Sequence, residues 1–137
     1  MQKKLLTEFL FLVISDAFRY NRESVEPDST DANHVKKACQ YINRHYNANL
    51  TVETLAQIVS LNKNYLIRLF NKELSTTPNQ YILETRLFHA RYLLLQTRLS
   101  IQDISLSCGF NTPSYFIKCF RNRYGQSPLV YIQTHCI

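Results

Sequence analysis

The sequence predicts an all-α protein made of two copies of one unit, each a short helix, a tight turn and a longer helix. A long helix lies between the copies and a further helix precedes them. Three observations predict this. First, Leu50-Thr-Val-Glu-Thr-Leu-Ala-Gln-Ile-Val-Ser-Leu-Asn62 is echoed about fifty residues later by Leu99-Ser-Ile-Gln-Asp-Ile-Ser-Leu-Ser-Cys-Gly-Phe-Asn111. After one inserted residue the register continues, with Tyr65 over Tyr115, Ile67 over Ile117, Arg68 over Lys118, Phe70 over Phe120, Pro78 over Pro128 and Tyr81-Ile82 over Tyr131-Ile132. Second, apolar residues in both copies recur at helical spacing behind capping residues. Third, no alternating strand pattern bounded by turns occurs. A stacked solenoid needs about three or more repeats to bury a continuous core, so two copies point to a pseudo-symmetric pair of subdomains.

In chain order, residues 1–33 come first. Leu5, Leu6, Phe9, Leu10, Leu12, Val13 and Phe18 make an apolar helix face wide enough to need a partner, and residues 22–31 read as a polar linker. Lys3-Lys4 before an apolar stretch also raises a signal peptide as a rival, which Glu8 counters by interrupting the stretch. The apolar run from Phe9 to Ile14 is far too short to span a bilayer.

The first unit covers residues 34–77. Thr51 can cap a helix through Leu55, Ala56, Ile58 and Val59, and the chain turns near Ser60-Leu61-Asn62. Asn62 caps a second helix with Tyr65, Leu66, Leu69 and Phe70 at helical spacing, which should stop near Ser75, ahead of Pro78. Residues 78–97 form the linking helix. Its Tyr81, Ile82, Leu87, Ala90, Leu93 and Leu94 are apolar on two sides, as a helix touching both units requires.

The second unit covers residues 98–137. Ser100 with Asp103 makes a start like a capping box, Gly109 supplies the turn, and Asn111 or Thr112 caps a helix holding Tyr115, Phe116 and Phe120. Pro113 falls in the first turn of that helix, where a missing N–H is harmless.

A short helix, a three- to four-residue turn and a longer helix is the helix-turn-helix arrangement, whose second helix enters a major groove. An ordinary helical hairpin has the same spacing, and charge favours the former. The first long helix sets Lys63, Arg68 and Lys72 against Glu73, and the second carries Lys118, Arg121 and Arg123 with no acid. The chain has 16 Lys and Arg, 10 Asp and Glu, and a net charge of +6. Residues 1–33 hold four of the bases and six of the acids, so the positive balance belongs entirely to the repeated region, as expected of a part that meets a polyanion.

The run Leu55-Ala56, Tyr65-Leu66, Arg68-Leu69-Phe70, Tyr81-Ile82, Arg86-Leu87, Ala90, Leu93-Leu94, Ile101, Ile104, Gly109-Phe110, Ser114-Tyr115-Phe116, Lys118, Phe120, Gly125 and Ser127-Pro128 resembles the DNA-binding domain of AraC/XylS-type bacterial transcription regulators. The resemblance covers about residues 34–137, and its second half is the more specific. It implies a homeodomain-like domain of about seven helices, binding double-stranded DNA in the bacterial cytoplasm, at the nucleoid. It further implies an activator touching RNA polymerase. Residues 1–33 would be the remnant of an upstream sensor or dimerisation region, open to self-association through the N-terminal helix. Ser75 stands where the family usually has Gly, Ser105 where it usually has Ala, and Ile132 where Arg commonly follows the last aromatic.

Helix orientation selects the DNA-facing residues. With Leu66, Leu69 and Phe70 turned to the core, Lys63, Asn64, Ile67, Arg68 and Asn71 face DNA; the equivalents are Thr112, Pro113, Ser114, Ile117, Lys118 and Arg121. Arg68 is suited to a guanine edge and Asn64 to adenine, because each can make two hydrogen bonds to one base. Asn71, Lys72, Arg121 and Arg123 are expected on phosphates, and Arg86, mid-linker among apolar neighbours, is expected to be structural. A linking helix of roughly 27 Å, at ~1.5 Å per residue, nearly spans the ~34 Å between successive major-groove faces, which predicts an asymmetric site.

Catalysis and metal binding find little support. Cys39, Cys108, Cys119 and Cys136 have no C-x-x-C pairing and no regular spacing to His34, His45, His89 and His135, and they read as small apolar residues. A nucleophilic Cys108 or Cys136 with His135 lacks an orienting acid, and no phosphate-cradling Gly-rich loop or other cofactor motif occurs. The competing function class is a helical protein-interaction module whose cations are merely solvated.

Overall fold

The computed structural model describes residues 30–135. Seven helices occur among them: α1 Thr30–His45, α2 Val52–Ile58, α3 Lys63–Leu74, α4 Pro78–Gln96, α5 Ile101–Ser107, α6 Pro113–Tyr124 and α7 Pro128–His135, with no strand. The expected N-terminal helix, and Cys136, lie outside the described residues. One boundary moves: Thr30–Asn33 belong to α1 and not to a linker, and Asp31 sits in the first turn of α1, where the helix dipole favours an acid.

The starts and stops of the helices follow from local chemistry. Thr51 Oγ1 accepts from Thr54 N at 3.1 Å, Asn62 Oδ1 from Asn64 N at 2.8 Å, Thr77 Oγ1 from Gln80 N at 3.1 Å, Ser100 Oγ from Asp103 N at 3.1 Å and Thr112 Oγ1 from Tyr115 N at 3.2 Å. Each satisfies an N–H that the first turn leaves without a helical partner.

The repeat holds down to single hydrogen bonds. After α2, Leu61 N donates to Ala56 O at 2.8 Å around Ser60 at φ 58°; after α5, Phe110 N donates to Ser105 O at 3.0 Å around Gly109 at φ 92°. Both are Schellman endings with a left-handed residue at the turn. The ends of α3 and α6 match likewise, with Ser75 at φ 54° and Gly125 at φ 78°. Both glycines of the chain therefore lie in the second unit, and serines hold the same backbone conformation in the first.

Two cores form. The first gathers Val35, Ala38, Cys39 and Ile42 of α1 with Leu55, Leu66, Leu69 and Phe70, and takes Tyr81 and Ile82 from the start of α4. The second is built on Leu87, Ala90 and Leu94 of α4 with Ile104, Phe110, Phe116, Phe120 and Tyr131. Its rings follow one another, Phe110 to Phe116 at 5.0 Å, Phe116 to Phe120 at 5.7 Å and Phe120 to Tyr131 at 5.3 Å. Tilted and edge-on ring pairs of this kind add specific geometry to area burial. As expected of the linking helix, α4 gives one end to each core.

Of the three departures from the family pattern, Ser75 adopts the left-handed conformation that Gly would take. Ser105 is fully buried with its hydroxyl donating to Gln102 O at 2.9 Å, and Ile132 packs half-buried on the second core.

Candidate nucleic-acid interface

The two long helices of the units, α3 and α6, each bury one apolar side and expose a polar one. On α3, Leu66, Leu69 and Phe70 are buried, while Lys63, Asn64, Arg68, Asn71 and Lys72 are exposed. On α6, Phe116 and Phe120 are buried, while Thr112 at its cap, Ser114, Lys118 and Arg121 are exposed. Pro113 is half-buried in the first turn of α6.

Two of the expected DNA-contacting residues are engaged at least in part within the protein. Ile67 is half-buried against the first core at the margin of the apolar face of α3, while its equivalent Ile117 is 38% exposed. Arg123 is not free for a phosphate. Its Nε donates to Glu84 Oε2 of α4 at 2.8 Å, the two side chains keep 10% and 12% of their exposure, and its guanidinium lies 5.2 Å from the Tyr124 ring centroid. The pair ties α6 to the linking helix.

Sequence reasoning also missed how the cations of the first unit are occupied. Lys63 Nζ donates to Glu53 Oε1 of α2 at 2.7 Å, which holds the Glu53 carboxyl below the usual range. Lys72 Nζ lies 3.5 Å from Asp31 Oδ2, and the Tyr65 hydroxyl donates to Asp31 Oδ1 at 2.9 Å. The Arg68 guanidinium sits 6.0 Å from the Tyr65 ring centroid. By contrast, Lys118 and Arg121 have no ion-pair partner among the described residues. Tyr115 is 52% exposed. A helical count would have found it, since Tyr65 and Tyr115 stand three residues before Arg68 and Lys118 and so share their faces.

The two units also meet at a junction beside the linking helix. Arg86 of α4 donates from Nε to Tyr46 O at 2.7 Å and from an Nη to Ala48 O at 2.9 Å, holding the loop between α1 and α2. Tyr46 stacks on His89 at 4.0 Å. The turn at Gly109 closes on the same loop so tightly that a Cβ there would lie 2.8 Å from Tyr46 O and 2.9 Å from Asn47 Cα. The loop of one unit, the linking helix and the turn of the other unit thus meet at a single point. Arg86 is structural, as expected. Beside it a cleft of about 380 Å³ is lined from both units by Leu50, Thr77, Ile82, Leu83, Arg86 and Tyr115.

Cys39 and Cys108 are fully buried, and burial pushes their thiols up to about 12 and about 11. Both pack as the small apolar residues expected of them, and His135 Nδ1 lies 3.0 Å from Tyr131 O. Among the described residues no helix is long and apolar enough to cross a membrane.

Two three-helix units, each with a capped helix-turn-helix and an exposed polar face on its second helix, define a double helix-turn-helix DNA-binding domain. A helix-turn-helix domain family of AraC type matches residues 55–134, and the chain belongs to the AraC family of transcription regulators. It is 44% identical over 85 residues to the HTH-type transcriptional regulator CdhR of Pseudomonas aeruginosa, a match covering 62% of this chain and 25% of CdhR. In structure it is similar to the C-terminal domain of AraT, a response regulator from Geobacillus stearothermophilus, with a TM-score of 0.74 and 33% identity over 76% of this chain and 87% of that one. It is also similar to the DNA-binding domain of the global transcriptional factor AdpA, solved in complex with a target DNA, with a TM-score of 0.71 and 25% identity over 74% of this chain and 91% of that one. The matches span about a quarter to just over a third of the curated relatives' length.

Proposed function

We propose that the chain reads an asymmetric double-stranded DNA site by laying α3 and α6 in successive major grooves on one side of the duplex. The observation that carries the reading is the pair of repeat-related helices, each capped and exposed at its start, set on one linking helix of 19 residues. At ~1.5 Å per residue that helix is about 28 Å long, close to the ~34 Å of one turn of B-DNA. Arg68 and Asn64 on α3, and Lys118 and Ser114 on α6, meet base edges; Thr112, Pro113 and Ile117 line the second groove. Lys63 reads from the first turn of α3 once it leaves Glu53. Asn71, Lys72 and Arg121 hold phosphates.

The regulator acts at the nucleoid in the cytoplasm. It serves as an activator that presents its outer surface to RNA polymerase, and residues 1–33 offer a route to self-association. The competing reading, a protein-interaction module, predicts binding that salt leaves unchanged. Duplex selection from a random library, followed by affinity across a salt series, tests the proposal. We expect one asymmetric motif and a steep fall in affinity with salt. Footprints should then show Arg68→Ala and Lys118→Ala, each costing about 1–3 kcal/mol, relaxing base pairs one helical turn apart. Salt-independent binding, or no enriched motif, rejects it.

A further inference from the structure

We propose that Tyr65 and Lys72 form a backbone-phosphate site on the first unit, and that Asp31 occupies it in the free protein as an internal phosphate mimic which DNA must displace. This rests on the DNA-binding reading above. Tyr65 and Lys72 are seven residues apart on α3 and so lie on one face, two turns from each other, with Arg68 between them. Asp31 meets them with both carboxylate oxygens, Oδ1 accepting from the Tyr65 hydroxyl at 2.9 Å and Oδ2 lying 3.5 Å from the Lys72 ammonium. A phosphodiester also offers two anionic oxygens on one centre, and a hydroxyl with an ammonium is a donor pair suited to it.

The contact is built to be exchanged. Lys72 keeps 67% of its side-chain exposure and Asp31 30%, so the pair is a solvent-screened one of the weak kind. The Arg68 guanidinium lies 6.0 Å from the Tyr65 ring centroid, so the phosphate site stands directly beside the residue that reads a base edge. Asp31 does not belong to either reading helix; it comes from the first turn of α1. The second unit has no such device. Its equivalent residues are Tyr115 and Asn122, and neither has a carboxylate bonded to it among the described residues. The first unit is therefore held back by its own acid, and the second, whose Lys118 and Arg121 have no ion-pair partner among the described residues, anchors the protein.

The test is duplex affinity of the full 137-residue chain over a potassium chloride series, on both the selected operator and a random-sequence duplex. Asp31→Asn removes the charge and keeps the shape. It should bind both duplexes about threefold to fivefold tighter at low salt, with a log–log salt slope like the parent's, because Lys72 meets the same phosphate in both complexes and only the cost of displacing Asp31 is lost. Adding Lys72→Ala should abolish that gain, and Tyr65→Phe alone should weaken binding to both duplexes alike. Asp31→Asn indistinguishable from the parent in affinity, while Arg121→Ala still weakens binding, overturns the mimic and leaves the DNA reading standing. Failure of the parent chain to bind any duplex in a salt-dependent way rejects the DNA reading itself. Tyr65 and Lys72 lie on the exposed side of α3, so their variants report even if Asp31→Asn lowers helix stability, and a Lys72→Ala chain with an unchanged salt slope also overturns the site.

Discussion

Glu84 and Arg123, 39 residues apart in sequence, meet at 2.8 Å with nearly all of both side chains covered. The pair joins the linking helix to the end of the second reading helix. Removing one partner leaves a covered charge unmatched, so Glu84→Ala should destabilise the domain by ~3 kcal/mol, nearer the buried than the surface limit for ion pairs. Arg123→Ala should do the same, and the salt slope of DNA binding should not change, because the guanidinium meets Glu84 and not a phosphate. Denaturant unfolding and a salt series measure the two effects; a flattened slope for Arg123→Ala returns it to the phosphate contacts.

The turn residues of the two units predict opposite outcomes. Gly109→Ala puts a Cβ 2.8 Å from Tyr46 O at a φ of +92°, so clash and backbone strain act together, and a loss of about 2–4 kcal/mol is expected. Ser75→Gly relieves a left-handed residue of roughly 1–2 kcal/mol of strain against roughly 0.5–1 kcal/mol of added chain entropy. It should stabilise the first unit by about 0.5 kcal/mol. Thermal unfolding of both variants decides; a Gly109→Ala chain as stable as the parent removes the tight junction between the units.

Phe70 and Phe120 occupy equivalent places and are both fully buried, each in its own core. Truncating either to Ala should cost ~3–5 kcal/mol. Because α4 feeds both cores, we expect one cooperative unfolding transition in each variant. Two separated transitions in calorimetry would show that the units unfold independently despite the shared helix.

Alkaline pH should unfold the protein through its buried thiols. Cys39 is raised from 9.0 to about 12 and Cys108 to about 11, so the folded state holds these protons more tightly than the unfolded state. Their contribution to stability is fully present below pH 9 and is lost as pH rises from 9 toward 12. Stability measured from pH 8 to 11 should fall less steeply in Cys39→Ala than in the parent, whatever the absolute offset between them. Parallel curves contradict the burial.

Much of the fold was written in local sequence. Thr51, Asn62, Ser100 and Thr112 cap the helices expected of them because a cap needs only its own side chain and an N–H two or three residues away. The repeat set the register of both units, and the two-sided apolar pattern of residues 78–97 marked the helix that feeds both cores. The exposed faces of α3 and α6 followed from the same periodicity.

What sequence could not determine were the partners of charged side chains, because those partners lie on other helices, ten residues away for Lys63 and about forty for Lys72 and Arg123. Arg123 and Arg121 look alike along the chain, and only the packing of α6 on α4 turns one to Glu84 and leaves the other in solvent. Lys72 and Lys118 both read as exposed cations, yet α1 brings Asp31 to the first, and no described residue forms an ion pair with the second. Ile67 and Ile117 are equivalent in the repeat but differ in burial, since each core closes around different neighbours. Helical periodicity is a property of one segment, and it assigned the faces. Charge pairing and the junction of Arg86, Tyr46 and Gly109 are properties of segments brought together, and only the tertiary structure decided them.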